Sequence, residues 1–196
     1  MALKRGGAVE QLGLEPESPQ LSEAAASTWL TTPLGEMLAV ADENALLLLE
    51  FDGRRGLQRS LDELGRRYRL GAGSTEPLKS IKRELADYFA GRLRDFRTPV
   101  RLSGTDFQVG VWRELMRVPA GTTVSYLQLA TSVGNPKGVR AVAQANGANR
   151  LAVIVPCHRV IESSGKLGGY GAGVEVKRQL LEHERAAFGA GAGRLF

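Results

Sequence analysis

An α+β fold is predicted for this chain: a small antiparallel sheet with helices in the N-terminal half, and a mostly helical C-terminal half built around a helix-turn-helix. Three observations predict it. Short apolar segments at 28–31, 37–41 and 46–51 are separated by Pro33-Leu34-Gly35 and Asp42-Glu43-Asn44, which is the layout of a β meander. Beyond them the apolar residues change to helical spacing. Finally, two short helical runs are joined by Gly134-Asn135-Pro136, and the second carries basic residues. With 196 residues and 43% apolar content the chain can bury a real core, as one large domain or two small ones.

Residues 1–26 mix Gly, Pro, Ser and Glu without periodicity and are read as a flexible leader. The meander opens an N-terminal scaffold spanning 27–100. Leu57, Leu61, Leu64 and Tyr68 recur at helical spacing, as do Leu78, Ile81, Leu85, Tyr88 and Phe89. Both helices are expected to cover one face of the sheet, with 92–100 as the linker. The second domain, 101–188, opens with Phe107, Val111, Trp112, Leu115 and Met116 on one stripe behind the capping pair Thr105 and Gln108. Pro119-Ala120-Gly121 stops that helix. Ser125 and Gln128 cap the next, from Tyr126 to Ser132. A third helix over 137–146 packs through Val139, Val142 and Ala143 and turns Lys137, Arg140 and Gln144 outward. Residues 189–196 are expected to be a flexible tail.

The formal net charge of +5 is unevenly divided. Residues 1–100 carry 14 Lys/Arg against 15 Asp/Glu, and residues 101–196 carry 12 against 6. The basic excess therefore belongs to the helical half. It is either generic solvated charge or the footprint of a polyanion, whose binding releases counterions. The longest apolar runs, such as 45–49, fall far short of the ~20 residues that span a bilayer. No membrane span or secretory signal is expected, and the chain reads as cytoplasmic.

One cysteine excludes an internal disulfide, and two histidines form no four-ligand zinc pattern, so neither a metal nor a cofactor is expected. The run 151–155 reads as a buried strand-like segment that ends in Pro156-Cys157-His158-Arg159-Val160. Cys157 is either a buried filler or a nucleophile. The adjoining imidazole and guanidinium favour a reactive thiolate, with a pKa below the ordinary value.

Pro156-Cys157-His158-Arg159-Val160 resembles the active-site motif of the O6-alkylguanine-DNA alkyltransferases, also called methylated-DNA-protein-cysteine methyltransferases. The likeness runs from about Gly104 to Glu184 through Ser125-Tyr126, Gly134-Asn135-Pro136-Lys137, Arg140-Ala141-Val142, Asn149, Gly169-Tyr170 and Lys177. It is looser around Thr32-Pro33-Leu34-Gly35.

The resemblance implies that Cys157 accepts the alkyl group, with His158 acting through a water as its base and Glu184 orienting that histidine. Asn149 would be a hinge, Arg140 the finger that fills the stack after a base is flipped, and Tyr126 the group that crowds the target phosphate. Ser125, Lys137 and Gln144 would join them on DNA. Tyr170, Lys177, Arg159 and the backbone at Val160 and Gly171 would line the base pocket. The implied partner is double-stranded DNA containing O6-alkylguanine, met by a monomer in the cytoplasm or, in a bacterium, on the nucleoid. A non-catalytic lesion-binding protein is the alternative, against which the presence of Cys157 argues. Gly138, where alanine is common, and Arg150, where proline is common, depart from the family pattern without removing a catalytic group.

Overall fold

The computed structural model describes residues 23–189; the tail at 190–196 and the leader up to residue 22 lie outside the described residues. The meander is present as β1 (Glu23–Thr32), β2 (Gly35–Ala41) and β3 (Leu46–Phe51), paired antiparallel in the order β3-β2-β1. The first strand begins at Glu23, inside the stretch read as leader.

Two expectations for this half are corrected. The first helix, α1 (Leu57–Gly65), ends before Tyr68, which instead opens β4 (Tyr68–Ala72), parallel to β1. Tyr68 sits at helical spacing from Leu64, but the open edge of β1 gives its backbone a ladder that local periodicity cannot reveal. Its ring packs with Leu38, Val40 and Leu64, and its hydroxyl accepts a hydrogen bond from Arg101 at 2.9 Å. The helices also cover opposite faces. Side chains alternate along a strand. Leu38 and Val40 therefore face α1, whereas Met37, Ala39 and Ala41 face Ile81 and Leu85 of α2 (Glu76–Phe89) and the helical half.

The helical half packs on that inner face. It contains α3 (Asp106–Leu115), α4 (Tyr126–Ser132) and α5 (Val139–Gly147). Both capping boxes are formed, Thr105 with Gln108 and Ser125 with Gln128. Trp112 Nε1 donates to the Ala145 carbonyl at 2.8 Å and ties α3 to α5. Between α4 and α5 the chain turns at Gly134, whose φ is 76°. A Cβ at Gly138 would overlap the Asn135 side chain, so an alanine there requires Asn135 to move. Helix α5 starts two residues later than expected because 135–138 form this turn, closed by Gly138 N–H to the Asn135 carbonyl at 2.9 Å.

The apolar run 151–155 is not a strand. Only Leu151 bridges β3, through Leu49 N–H to the Arg150 carbonyl and Ala152 N–H to the Leu49 carbonyl, both 2.8 Å. The chain then coils into a turn in which buried Val153 takes φ 72°, a strained value for a β-branched residue. A 3-10 turn, Cys157–Arg159, follows. It leads into β6 (Val160–Ile161), which pairs with β5 (Val124–Ser125) and so joins the active turn to the start of α4. The last helix, α6 (Val174–Phe188), buries Lys177 and Glu184. Arg150 ion-pairs with Glu63 of α1, which anchors the approach to the turn.

Candidate active site

Cys157 lies at the first position of the 3-10 turn, 8% exposed. Asn149, just past α5, holds it: Asn149 Nδ2 donates to Cys157 Sγ at 3.2 Å and to the Val155 carbonyl at 2.8 Å, and Asn149 Oδ1 accepts from Leu151 N–H at 3.0 Å. One side chain thus fixes both the turn and the sulfur it delivers, and links them to the end of α5.

His158 and Glu184 are fully buried, and His158 Nε2 meets Glu184 Oε1 at 2.9 Å. A carboxylate accepts, so Nε2 carries the proton and Nδ1 is the basic nitrogen; it is buried and has no partner among the described residues. No hydrogen bond joins His158 to the sulfur. Burial lowers the His158 pKa, opposed by Glu184, so the ring is neutral and able to take a proton. Glu184 is held by more than the histidine. It accepts from Tyr88 Oη at 2.8 Å, from Arg159 Nη2 at 2.7 Å and from Gly121 N–H at 3.1 Å. Burial works to raise its pKa, but His158 and Arg159 together keep the carboxyl well below the usual carboxylate range.

The expected depressed thiol pKa is corrected. Burial pushes the Cys157 thiol above its ordinary value. The Asn149 hydrogen bond, Arg54 and Lys177 pull it down but do not overcome burial, and Glu50 pushes it further up. Proximity in sequence to His158 and Arg159 is a poor guide here, because both side chains turn toward Glu184. Cys157 is therefore a resting thiol whose proton must leave as it reacts.

The residues expected to line a base pocket separate into two groups. Tyr170 and Gly171 line a narrow cleft of about 30 Å³ beside Cys157. Arg159 does not, since its guanidinium binds Glu184 and the Val118 carbonyl. Val160 does not line it either; its carbonyl accepts from Lys177 Nζ at 2.6 Å, and Lys177 also donates to the Leu167 carbonyl. Lys177 thereby clamps β6 to the loop before α6, and its own burial brings its pKa down to about 8. Tyr126 is half-buried at the start of α4, where a Cβ on Gly168 would come within 3.6 Å of its hydroxyl. Ser125 is engaged as the cap of α4. Lys137, Arg140 and Gln144 lie on or just before α5, all three exposed as expected.

Sequence reasoning missed Tyr88, Glu50 and Arg54. Tyr88 shares a helical stripe with core residues and carries no sign of its hydroxyl contact. Glu50 and Arg54 come from the sheet half, which holds no motif that points to a site. Among the described residues no cluster of His, Cys, Asp or Glu could hold a metal ion, and no helix is long and apolar enough to cross a membrane.

Comparison with known proteins adds two family matches. Residues 27–102 match the 6-O-methylguanine DNA methyltransferase, ribonuclease-like domain, and residues 106–186 match the 6-O-methylguanine DNA methyltransferase, DNA binding domain. A methylated-DNA--protein-cysteine methyltransferase of Mycobacterium tuberculosis is 52% identical over 103 residues, covering 53% of this chain and 62% of the relative. The match thus spans about three fifths of that mycobacterial protein. A methylated-DNA--protein-cysteine methyltransferase of Methanosarcina barkeri is 36% identical over 156 residues, 79% of this chain and 94% of the relative. Among solved structures, the Mycobacterium tuberculosis OGT in complex with DNA superposes with a TM-score of 0.72 at 36% identity, covering 84% of this chain and 94% of that one.

Proposed function

The chain belongs to the 6-O-methylguanine DNA methyltransferase family, and on that premise we propose that it repairs alkylated DNA by moving the alkyl group from O6 of guanine irreversibly onto Cys157. The observation that carries this reading is the lone thiol itself, set by Asn149 at the mouth of a cleft and next in the chain to a neutral, buried histidine.

The chemistry follows from that placement. As Sγ attacks the alkyl carbon, the S–C bond forms and the C–O6 bond breaks, and guanine departs with the bonding electrons. His158 Nδ1 is the base for the thiol proton, relayed through a water, and Glu184 stabilises the imidazolium that results. A proton taken up by the departing guanine balances the one lost by the thiol. Because the thiol is protonated at rest, proton removal accompanies attack rather than preceding it.

A base in a duplex must be rotated out of the stack to reach a side chain. Helix α5 and the turn before it present the groups that would do this, with Arg140 to fill the gap and Lys137 and Gln144 beside it. Tyr126 and the cap residue Ser125 lie at the start of α4, joined through the β5–β6 pair to the active turn. Lys177 is a positioning residue that holds β6, next to the active turn, against the loop before α6, and Asn149 couples α5 to the sulfur. The single cysteine leaves no thiol to regenerate the protein, so each molecule acts once. The working compartment is the cytoplasm, or the nucleoid if the source is bacterial.

The test is direct. Incubation with a duplex oligonucleotide carrying O6-methylguanine should place one methyl group on the Cys157 peptide, read by mass spectrometry. Tight binding to the lesion with an unmodified Cys157 would instead identify a non-catalytic lesion binder.

A further inference from the structure

We propose that Arg54, braced by Glu50, forms the end wall of the space that receives the transferred alkyl group and so sets the largest group that Cys157 accepts. The inference rests on the alkyl-transfer reading of the site and names its substrate range. A group that ends on Sγ must occupy the space beside Sγ as it approaches. The narrow cleft of about 30 Å³ beside Cys157 is that space, and Arg54 and Glu50 line it together with Tyr170, Gly171 and Ala152.

Arg54 is not a loose surface arginine. Its side chain is 10% exposed, and the guanidinium is held from three directions: Nε pairs with Glu50 Oε2 at 2.9 Å, and Nη2 donates to the Gly147 carbonyl at 3.0 Å and the Asn149 carbonyl at 2.6 Å. A long side chain with three fixed contacts cannot swing aside as an unpaired one would. Gly171 abuts the same side chain: a Cβ there would lie 2.8 Å from Arg54 Nε, so the glycine leaves the guanidinium its place.

Glu50 is 2% exposed, and its Oε1 has no partner among the described residues. Burial raises its carboxyl to about 8 against the pull of Arg54 and Arg150. A bulky apolar alkyl group would press against this polar pair and strip what solvation it retains, whereas a methyl group need not reach it. The sheet half is thereby more than a support for the helical half; it supplies one wall of the reactive site.

The experiment compares transfer rates to the full-length protein from two duplexes of identical sequence, one carrying O6-benzylguanine and one O6-methylguanine. Their ratio isolates pocket size from DNA binding and folding, which affect both substrates alike. Arg54→Ala should raise the benzyl-to-methyl ratio by roughly tenfold, the discrimination that one or two methylenes of room confer. Glu50→Gln removes the carboxylate that braces Arg54 Nε and should also raise the ratio, by a smaller factor. Should Arg54→Ala fail to fold, Glu50→Gln decides alone. Ratios within about twofold of wild type in the folded variants, with methyl transfer continuing, would overturn the proposal. Absence of methyl transfer from the wild-type protein would instead overturn the reading of the site, and the proposal with it.

Discussion

The Asn149 amide holds the Cys157 sulfur and the turn that delivers it at the same time, and this double duty governs how the thiol titrates. Burial raises the thiol pKa, and the Asn149 hydrogen bond opposes that rise. Alkylation of Cys157 by iodoacetamide should therefore be slow at neutral pH and still climbing above pH ~9, past the ordinary thiol value of about 8.5. Asn149→Ala should move the profile to higher pH; a plateau near neutrality would contradict the assignment. Glu184 makes stability depend on pH. Its carboxyl is depressed in the folded state, so the stability it contributes is present above the unfolded value of about 4.3 and is lost as pH falls toward the lower folded value. Glu184→Gln leaves Arg159 buried without its counter-charge and should cost about 3–5 kcal/mol in urea unfolding. The same change should slow alkyl transfer, since His158 then loses the group that stabilises its protonated form.

Among the elements, α5 is where the proposed DNA handling can be tested apart from the chemistry, because Arg140 is exposed and the sulfur is buried. Arg140→Ala should slow repair in duplex DNA by roughly 10- to 100-fold, the equivalent of a few kcal/mol of unstacking, and should leave reaction with free O6-benzylguanine much less affected. Equal losses on both substrates would remove Arg140 from base flipping. The elements also mark what is legible in the chain beforehand. Strands β1 to β3, α2 and both capping boxes are legible because turn residues and periodicity coincide there. Tyr68 is not, because it continues the Leu57-Leu61-Leu64 spacing while its fate is set by the open edge of β1. The run 151–155 reads wrongly as strand-like because an unbroken apolar stretch does not distinguish a strand from a buried turn held by Asn149. Cys157 and His158 are visible as a motif. Glu50, Arg54 and Tyr88 are not, since only the packing of the two halves brings them to the site.

At the scale of the whole molecule, one apolar core runs from Met37 and Leu49 through Trp112 and Val142 to Val155, and Cys157 is part of it. An alkyl group on the sulfur therefore adds volume to close-packed surroundings and disrupts the Asn149 contact that ties the active turn to α5. Overpacking of this kind costs about 1–3 kcal/mol, which corresponds to several degrees in Tm for a protein of this size. Thermal unfolding should show the methylated protein melting below the unmodified one and the benzylated protein lower still; unchanged or raised melting temperatures would mean the cleft takes the adduct without strain. Titrating a fixed amount of protein with excess duplex O6-methylguanine and counting the guanines restored shows whether Cys157 is consumed by the reaction it performs. The count should plateau at one lesion repaired per protein molecule, with none repaired by Cys157→Ala. Continued repair beyond one equivalent without an added thiol, or any repair by Cys157→Ala, would contradict it.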